Sequence, residues 1–207
     1  MSLPRIVPRE EWRAAREELL LKEKALTRAR DALDAERRRL PMVEVDEEYV
    51  FEGGDGKATL LDLFRERHQL IVYHFAFAPE WQAGSRDCSA FLDQVGHLAH
   101  LRARGTEFAV VSRAPYTRIL PFKARMGWTV PWYSSYGNTF DHDHGADERP
   151  GVSCFLRERE RVFLTYSAYG RGLEGLGPTA GLLALTALGA VGDERIRYHD
   201  EYGEYGE

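Results

Sequence analysis

Cys88 and Cys154 are the two cysteines of this 207-residue chain. The first stands where a thiol can do chemistry. From Cys88 on, the residues Cys88, Phe91, Leu92, Val95 and Leu98 recur with helical period, so a helix is expected over 88–104 with Cys88 at its start. A cysteine on a first helical turn meets unpaired backbone N–H groups and the positive end of the helix dipole. Both favour the thiolate, which is the nucleophile. Arg86 adds positive charge nearby and Asp87 opposes it. The competing reading is an inert cysteine, because free cysteine packs well as a small hydrophobe. Cys154 alternates with Ser153 and Phe155 in a strand pattern and reads as core. Its other role would be to resolve a disulfide with Cys88, which requires Cα atoms within about 7 Å. Two cysteines exclude a disulfide-dense secreted scaffold and a four-cysteine zinc site.

Histidine and aspartate offer a different chemistry. Asp141-His142-Asp143-His144, followed by Gly145, reads as a loop dense in nitrogen and oxygen donors. Asp93, His97 and His100 would share one face of the helix expected there. Imidazole with carboxylate suits Zn, Fe, Cu or Mn, so His142, His144, His97 and His100 are the candidate ligands of a divalent metal. None of these spacings is a known metal motif, and a solvated loop and a solvated helix face are the plainer readings. No cofactor is assigned with certainty. His74 lies near the carboxyl end of an apolar strand, where ligands and catalytic groups gather in α/β sheets. It is either a satisfied core histidine or a general base for Cys88. The loop Phe75-Ala-Phe-Ala-Pro-Glu-Trp81, with Trp128, Trp132 and Tyr133, either joins the core or walls a substrate pocket.

The elements that must position these groups alternate in type. Residues 9–39 form a long helix in which Trp12, Leu19, Leu26, Leu33 and Leu40 recur every seven residues, and Pro41 ends it. This stripe reads as a homodimerisation arm through residues 9–40 or as an amphipathic helix lying on its own domain. Tyr49–Phe51 reads as a strand, Gly53–Gly56 as a turn, and Thr59–Phe64 as a helical turn that Thr59 can cap. Gln69–Phe75 and Glu107–Ser112 read as buried central strands. A helix is expected over 116–126, a short strand at 131–134, and a hairpin from Val152–Leu156 and Arg161–Thr165. The order implies an α/β domain whose parallel pair is extended by antiparallel strands. The expected divisions are a helical arm (1–41), one α/β domain (42–170) and a C-terminal extension (171–207). That extension ends in a low-complexity acidic tail from Glu201, expected to be disordered.

Several stretches carry a resemblance. Thr59-Leu-Leu-Asp-Leu-Phe64, Gln69-Leu-Ile-Val-Tyr-His-Phe75 and a loop ending in Cys88 resemble the opening of peroxiredoxin-like members of the thioredoxin superfamily. Val110-Val-Ser112, Phe122–Gly127, Pro131-Trp-Tyr-Ser134 and Arg149-Pro-Gly-Val-Ser-Cys-Phe-Leu156 resemble the strands and helix that follow. More closely, residues 2–170 resemble a bacterial family of thioredoxin-like proteins of unknown function, through the charged leading helix, YHF, HLAHL, VSRAP and GW-x-x-PWYSS. The resemblance implies a thioredoxin-like, peroxiredoxin-type mixed sheet flanked by helices. Members of that family commonly carry Gly-Cys-x-x-Cys, whereas this chain reads Gly84-Ser85-Arg86-Asp87-Cys88. A dithiol cycle within the motif is therefore closed to it. Ser85-x-x-Cys88 also resembles the Thr-x-x-Cys of peroxiredoxins, which implies a peroxide-orienting role for Ser85 and for Arg149. The peroxiredoxin proline would fall at Trp81, with Pro79 the nearest proline. Pro150 stands about where thioredoxin-like folds place a cis-proline facing the cysteine, although base rate alone favours trans. Trp81, Pro150 and Trp132 are the expected substrate-binding residues.

The leading expectation is a thiol-dependent oxidoreductase of peroxiredoxin-like character that uses Cys88 on a small-molecule oxidant or thiol. The rivals are a metal-dependent protein built on the His/Asp groups and a non-catalytic thioredoxin-like interaction module. A net charge of −5 argues against a nucleic-acid partner. The longest apolar run, Ala180–Val191, is shorter than the roughly 20 residues a transmembrane helix needs. With a charged N-terminus, that makes a cytoplasmic protein the expectation.

Overall fold

The computed structural model describes residues 3–147, 149–173, 176, 179–190 and 197–202. It divides into two compact units, residues 1–37 and 38–207. The first holds helix α1 (Arg9–Arg37). Its Trp12, Leu19, Leu26 and Leu33 recur at heptad spacing, and Arg16–Glu23 and Asp34–Arg37 are ion pairs along it.

The second unit is built on one eight-stranded sheet in the order β1-β8-β7-β4-β5-β6-β2-β3. The strands are β1 (Val43–Glu44), β2 (Val50–Gly53), β3 (Gly56–Thr59), β4 (Gln69–His74), β5 (Thr106–Ser112), β6 (Trp132–Ser134), β7 (Gly151–Glu158) and β8 (Arg161–Tyr169). β4, β5 and β6 are parallel, and β7 runs antiparallel to both β4 and β8. The parallel strands crossed by helices and extended by an antiparallel hairpin are the thioredoxin-like arrangement expected, with three parallel strands where the sequence suggests a pair. β4 and β5 are buried along their whole lengths, which is why they read as unbroken apolar runs.

The period of two along a strand creates two cores. Ile71, Tyr73, Phe75, Val110, Val152 and Cys154 face one of them, with Cys88, Ile119 and Phe122 from the covering helices. Leu70, Val72, Val111 and Phe155 face the other, with Phe51, Phe64 and Phe140. The helices are α2 (Arg86–Leu92), α3 (Ala99–Arg102), α4 (Tyr116–Met126), α5 (Phe140–Asp143) and α6 (Thr179–Leu183).

Four local expectations change. The helix expected over 88–104 breaks after Leu92 and resumes at Ala99. Asp93 caps α2, and a turn through Gly96 intervenes, so Asp93, His97 and His100 do not share a helix face. The Asp141–His144 loop is instead α5 and its cap. The turn at Thr59 shrinks to a 3₁₀ turn over Asp62–Phe64. There the Thr59 N–H and hydroxyl both donate to Asp62 at 2.7 Å, and the Asp62 N–H donates back to the Thr59 hydroxyl. In the C-terminal extension, Leu182, Leu183 and Leu185 join the first core. The buried Gln69 amide donates to the Gly189 carbonyl, and its oxygen accepts the Leu188 N–H. Of the acidic tail, Tyr202 is buried against His100, and residues 203–207 lie outside the described residues.

Candidate active site

Cys88 sits on the first turn of α2, behind a loop that leaves β4 at His74. Ser85 is the N-cap, its hydroxyl accepting the Cys88 N–H at 3.3 Å. The Ser85 N–H in turn donates to the Ala76 carbonyl at 2.9 Å, which ties the helix start back to the end of β4. Gly84 allows this close return, because a Cβ there would lie 2.4 Å from Phe75 Cε1 and 3.0 Å from Phe122 Cε1. The Cys88 sulfur accepts the Ala76 N–H at 3.4 Å, and Tyr73 packs in the same core. Tyr73 stacks on Phe91 with ring centroids 4.4 Å apart. Burial first, and then Cys88 beside it, push the Tyr73 phenol far above its ordinary range. The thiol is therefore enclosed, with 1% of its surface exposed. Cys154 is also buried and forms no disulfide. It faces the same core, two positions along β7 from Val152, the cross-strand partner of Tyr73.

His74 does not face Cys88. It alternates with Tyr73 and Phe75, so its ring enters the other side of the sheet, stacked on Phe140. Its Nδ1 lies 2.8 Å from Asp141 Oδ1 and its Nε2 2.9 Å from the Ser153 hydroxyl. The tautomer with its proton on Nδ1 donates to Asp141 and accepts from Ser153. The Ser153 hydroxyl is also 3.2 Å from that of Ser167, and the Ser135 hydroxyl donates to Asp141 Oδ2. The order serine–histidine–aspartate resembles a nucleophile activated by a base, yet Ser153 is fully buried in the middle of β7. The network joins β4, β7 and α5 and has no exposed nucleophile. Sequence reading missed Asp141 as the partner of His74. The signal in the sequence is the DHDH run, which reads there as a solvated loop or as a source of histidine metal ligands. A cavity of about 240 Å³ touches both systems, lined by His74, Ala76, Phe77, Trp81, Arg113 and Asp141.

The remaining candidates are dispersed. Arg149 donates from Nε to the Gly145 carbonyl and lies over the Tyr169 ring at 4.7 Å. Pro150 precedes β7, and no described peptide bond is cis. Trp132 is core, its indole N–H donating to the Ser112 hydroxyl. Trp81 is exposed and accepts a bond from Arg118 at its carbonyl. His142 is exposed and pairs with Asp147 at 2.5 Å, whereas His144 is buried with Nδ1 donating to the Phe140 carbonyl. His97 stacks on His199, and His100 meets Tyr202. Among the described residues, no three His, Cys, Asp or Glu side chains are grouped to hold a metal ion. The proposed histidine ligands are thus not brought together.

The family model described as "Bacterial protein of unknown function (DUF899)" matches residues 1–202. The chain belongs to this family. No curated protein matches it. Among solved structures it is similar to peroxiredoxin Q of Xanthomonas campestris, with 16% identity over 58% of this chain and 78% of that one and a TM-score of 0.43. It is also similar to a putative thiol:disulfide interchange protein DsbE from Chlorobium tepidum, with 15% identity, 62% and 84% coverage and a TM-score of 0.44. A putative protein disulfide isomerase from Bacteroides thetaiotaomicron is a third, with 19% identity, 63% and 80% coverage and a TM-score of 0.41. No helix among the described residues is long and apolar enough to cross a membrane.

Proposed function

We propose that the protein is a thiol oxidoreductase in which Cys88 is the reacting group. The observation that carries this reading is the environment of the sulfur. It sits on the first turn of a capped helix whose N-terminal N–H groups lie around it, with the Ala76 N–H directed at it. Such donors hold an anionic sulfur better than a neutral one. With a peroxide, the thiolate attacks one oxygen and the O–O bond breaks. A sulfenic acid forms on Cys88, and the departing oxygen takes up a proton to leave as alcohol or water. A second thiol then condenses with the sulfenic acid and releases water. Cys154, another chain or a small thiol would supply that second sulfur. Ser85 acts by capping α2, and Arg149 is engaged by Gly145 and Tyr169, so peroxide orientation through this pair is not part of the proposal.

The test is one equivalent of hydrogen peroxide followed by a sulfenic-acid trap and mass spectrometry. Fast labelling at Cys88 that leaves Cys154 unmodified supports the reading, and equal, slow labelling of both rejects it. The burial of Cys88 favours a second reading, a non-catalytic interaction module on the same scaffold, and the rejecting outcome is the one that module predicts. The heptad stripe of α1 supports a homodimer formed through this helix. Removing residues 1–37 should then convert a dimer to a monomer in analytical ultracentrifugation, and an unchanged mass rejects it. Two cysteines outside any disulfide support a reducing, cytoplasmic setting, and the acidic net charge supports small-molecule rather than nucleic-acid partners.

A further inference from the structure

A second recess in this unit lies away from Cys88. A cavity of about 540 Å³ is lined by the Gly54–Asp55 turn, Arg65, the end of α2 through His97, and the segment from Lys123 to Tyr133. Arg65 leads into β4, Arg102 into β5, and Trp128–Pro131 into β6. The recess therefore opens at the amino ends of three parallel strands. Cys88 and the smaller cavity lie where β4 ends, at its carboxyl side.

The charges of this recess do not balance. Arg102 is committed to Glu107 at 3.1 Å. Lys123 is half-buried on α4, and among the described residues neither it nor Arg65 forms an ion pair. Both line this recess. Burial, and then the Arg65 guanidinium, lower the Lys123 ammonium from its ordinary range. With Arg102 paired, two cations against the one carboxylate of Asp55 leave the recess net positive, which an anion would offset. The acid in the lining is Asp55, which acts on Tyr116 across the cavity wall.

The remaining wall is aromatic. Trp128 packs on Phe122 and Trp132 and is only partly covered. Its indole N–H is already satisfied by Asp93 at 2.7 Å, so what it offers a ligand is ring surface. The volume is that of a small-molecule site and exceeds what one inorganic ion would fill. We propose that this recess binds a phosphate ester of a ring compound, its phosphate between Lys123 and Arg65, its ring against Trp128, and its hydroxyls towards Asp55.

AMP is the probe, with inorganic phosphate and adenosine as the two halves, measured by isothermal titration calorimetry on the full chain. AMP is expected to bind at least tenfold more tightly than either half. Lys123→Gln and Arg65→Gln should each weaken AMP by roughly tenfold, the loss of one charge-assisted contact. Absence of AMP binding, AMP no tighter than phosphate, or unchanged affinity in both variants overturns the proposal. A second measurement avoids any folding defect in the variants. Acetylation of Lys123 in the unaltered protein, followed by mass spectrometry, should be suppressed by AMP, and lack of protection overturns the assignment. Cys88→Ser should bind AMP normally, so this outcome is separable from that of the thiol chemistry.

Discussion

Replacing Asp141 with alanine removes the acceptor of two buried donors, the His74 Nδ1–H and the Ser135 hydroxyl. Each donor left unpaired in the interior costs about 1–3 kcal/mol. Both are buried, with His74 and Ser135 each 2% exposed, and the cavity lined by His74 and Asp141 offers water an approach, which would favour the lower end of this range. The sum, about 2–6 kcal/mol, agrees with the ~3–5 kcal/mol typical of breaking a buried pair. For a chain of this size it corresponds to a fall in Tm of roughly 4–24 °C. Urea unfolding followed by far-UV circular dichroism measures it. The sharper version is a double-mutant cycle. His74→Phe alone also leaves Asp141 without its ring partner, but Asp141→Ala with His74→Phe leaves no broken bond between the two. The double variant should therefore be more stable than the sum of the single losses predicts, by more than ~1 kcal/mol. Additive losses, or an Asp141→Ala variant within ~0.5 kcal/mol of the unaltered protein, would refute the reasoning.

Three further expectations follow from named contacts. Burial holds the His144 imidazole below its ordinary range, so the unfolded chain takes up this proton first as pH falls through about 6.5. Stability from this group is full above that pH and declines below it, by up to about 1.4 kcal/mol per pH unit; His144→Asn, which keeps the bond to Phe140, should flatten urea midpoints between about pH 6.5 and 5, and an unchanged slope counts against it. Gly84→Ala should destabilise by about 1–3 kcal/mol and raise hydrogen exchange around Cys88, because the new methyl meets Phe75 and Phe122; normal exchange there would show that the loop can yield. Ser85→Ala should cost about 1 kcal/mol in urea unfolding through loss of the α2 cap, and it should slow but not abolish Cys88 oxidation; complete loss would assign Ser85 a role beyond capping.

What the sequence disclosed depended on periodicity. β4 and β5 stand out because burial on both faces leaves no polar alternation, and Cys88 was correctly put at a helix start because apolar spacing resumes there. Pairing across distant segments was not legible. His74 and Asp141 are 67 positions apart, and no local pattern announces that α5 folds over β4. The period of two that any strand imposes sets His74 and Tyr73 on opposite faces, which separates His74 from Cys88. Arg149 and Ser85 occupy suggestive positions along the chain, but the direction of a side chain is set by its tertiary neighbours. The break between α2 and α3 was hidden because Val95 and Leu98 continue an apolar rhythm through a turn.

Gln69 begins the first central strand, and its buried amide is completed by residues 188 and 189. A ribosome delivers those two residues some 120 positions later, when the rest of the sheet has already been synthesised. At the usual pace of about 5–20 residues per second, the nascent sheet waits several seconds with one end of β4 unsealed. That interval is the natural window for a chaperone, and a chain terminated before residue 188 would never leave it.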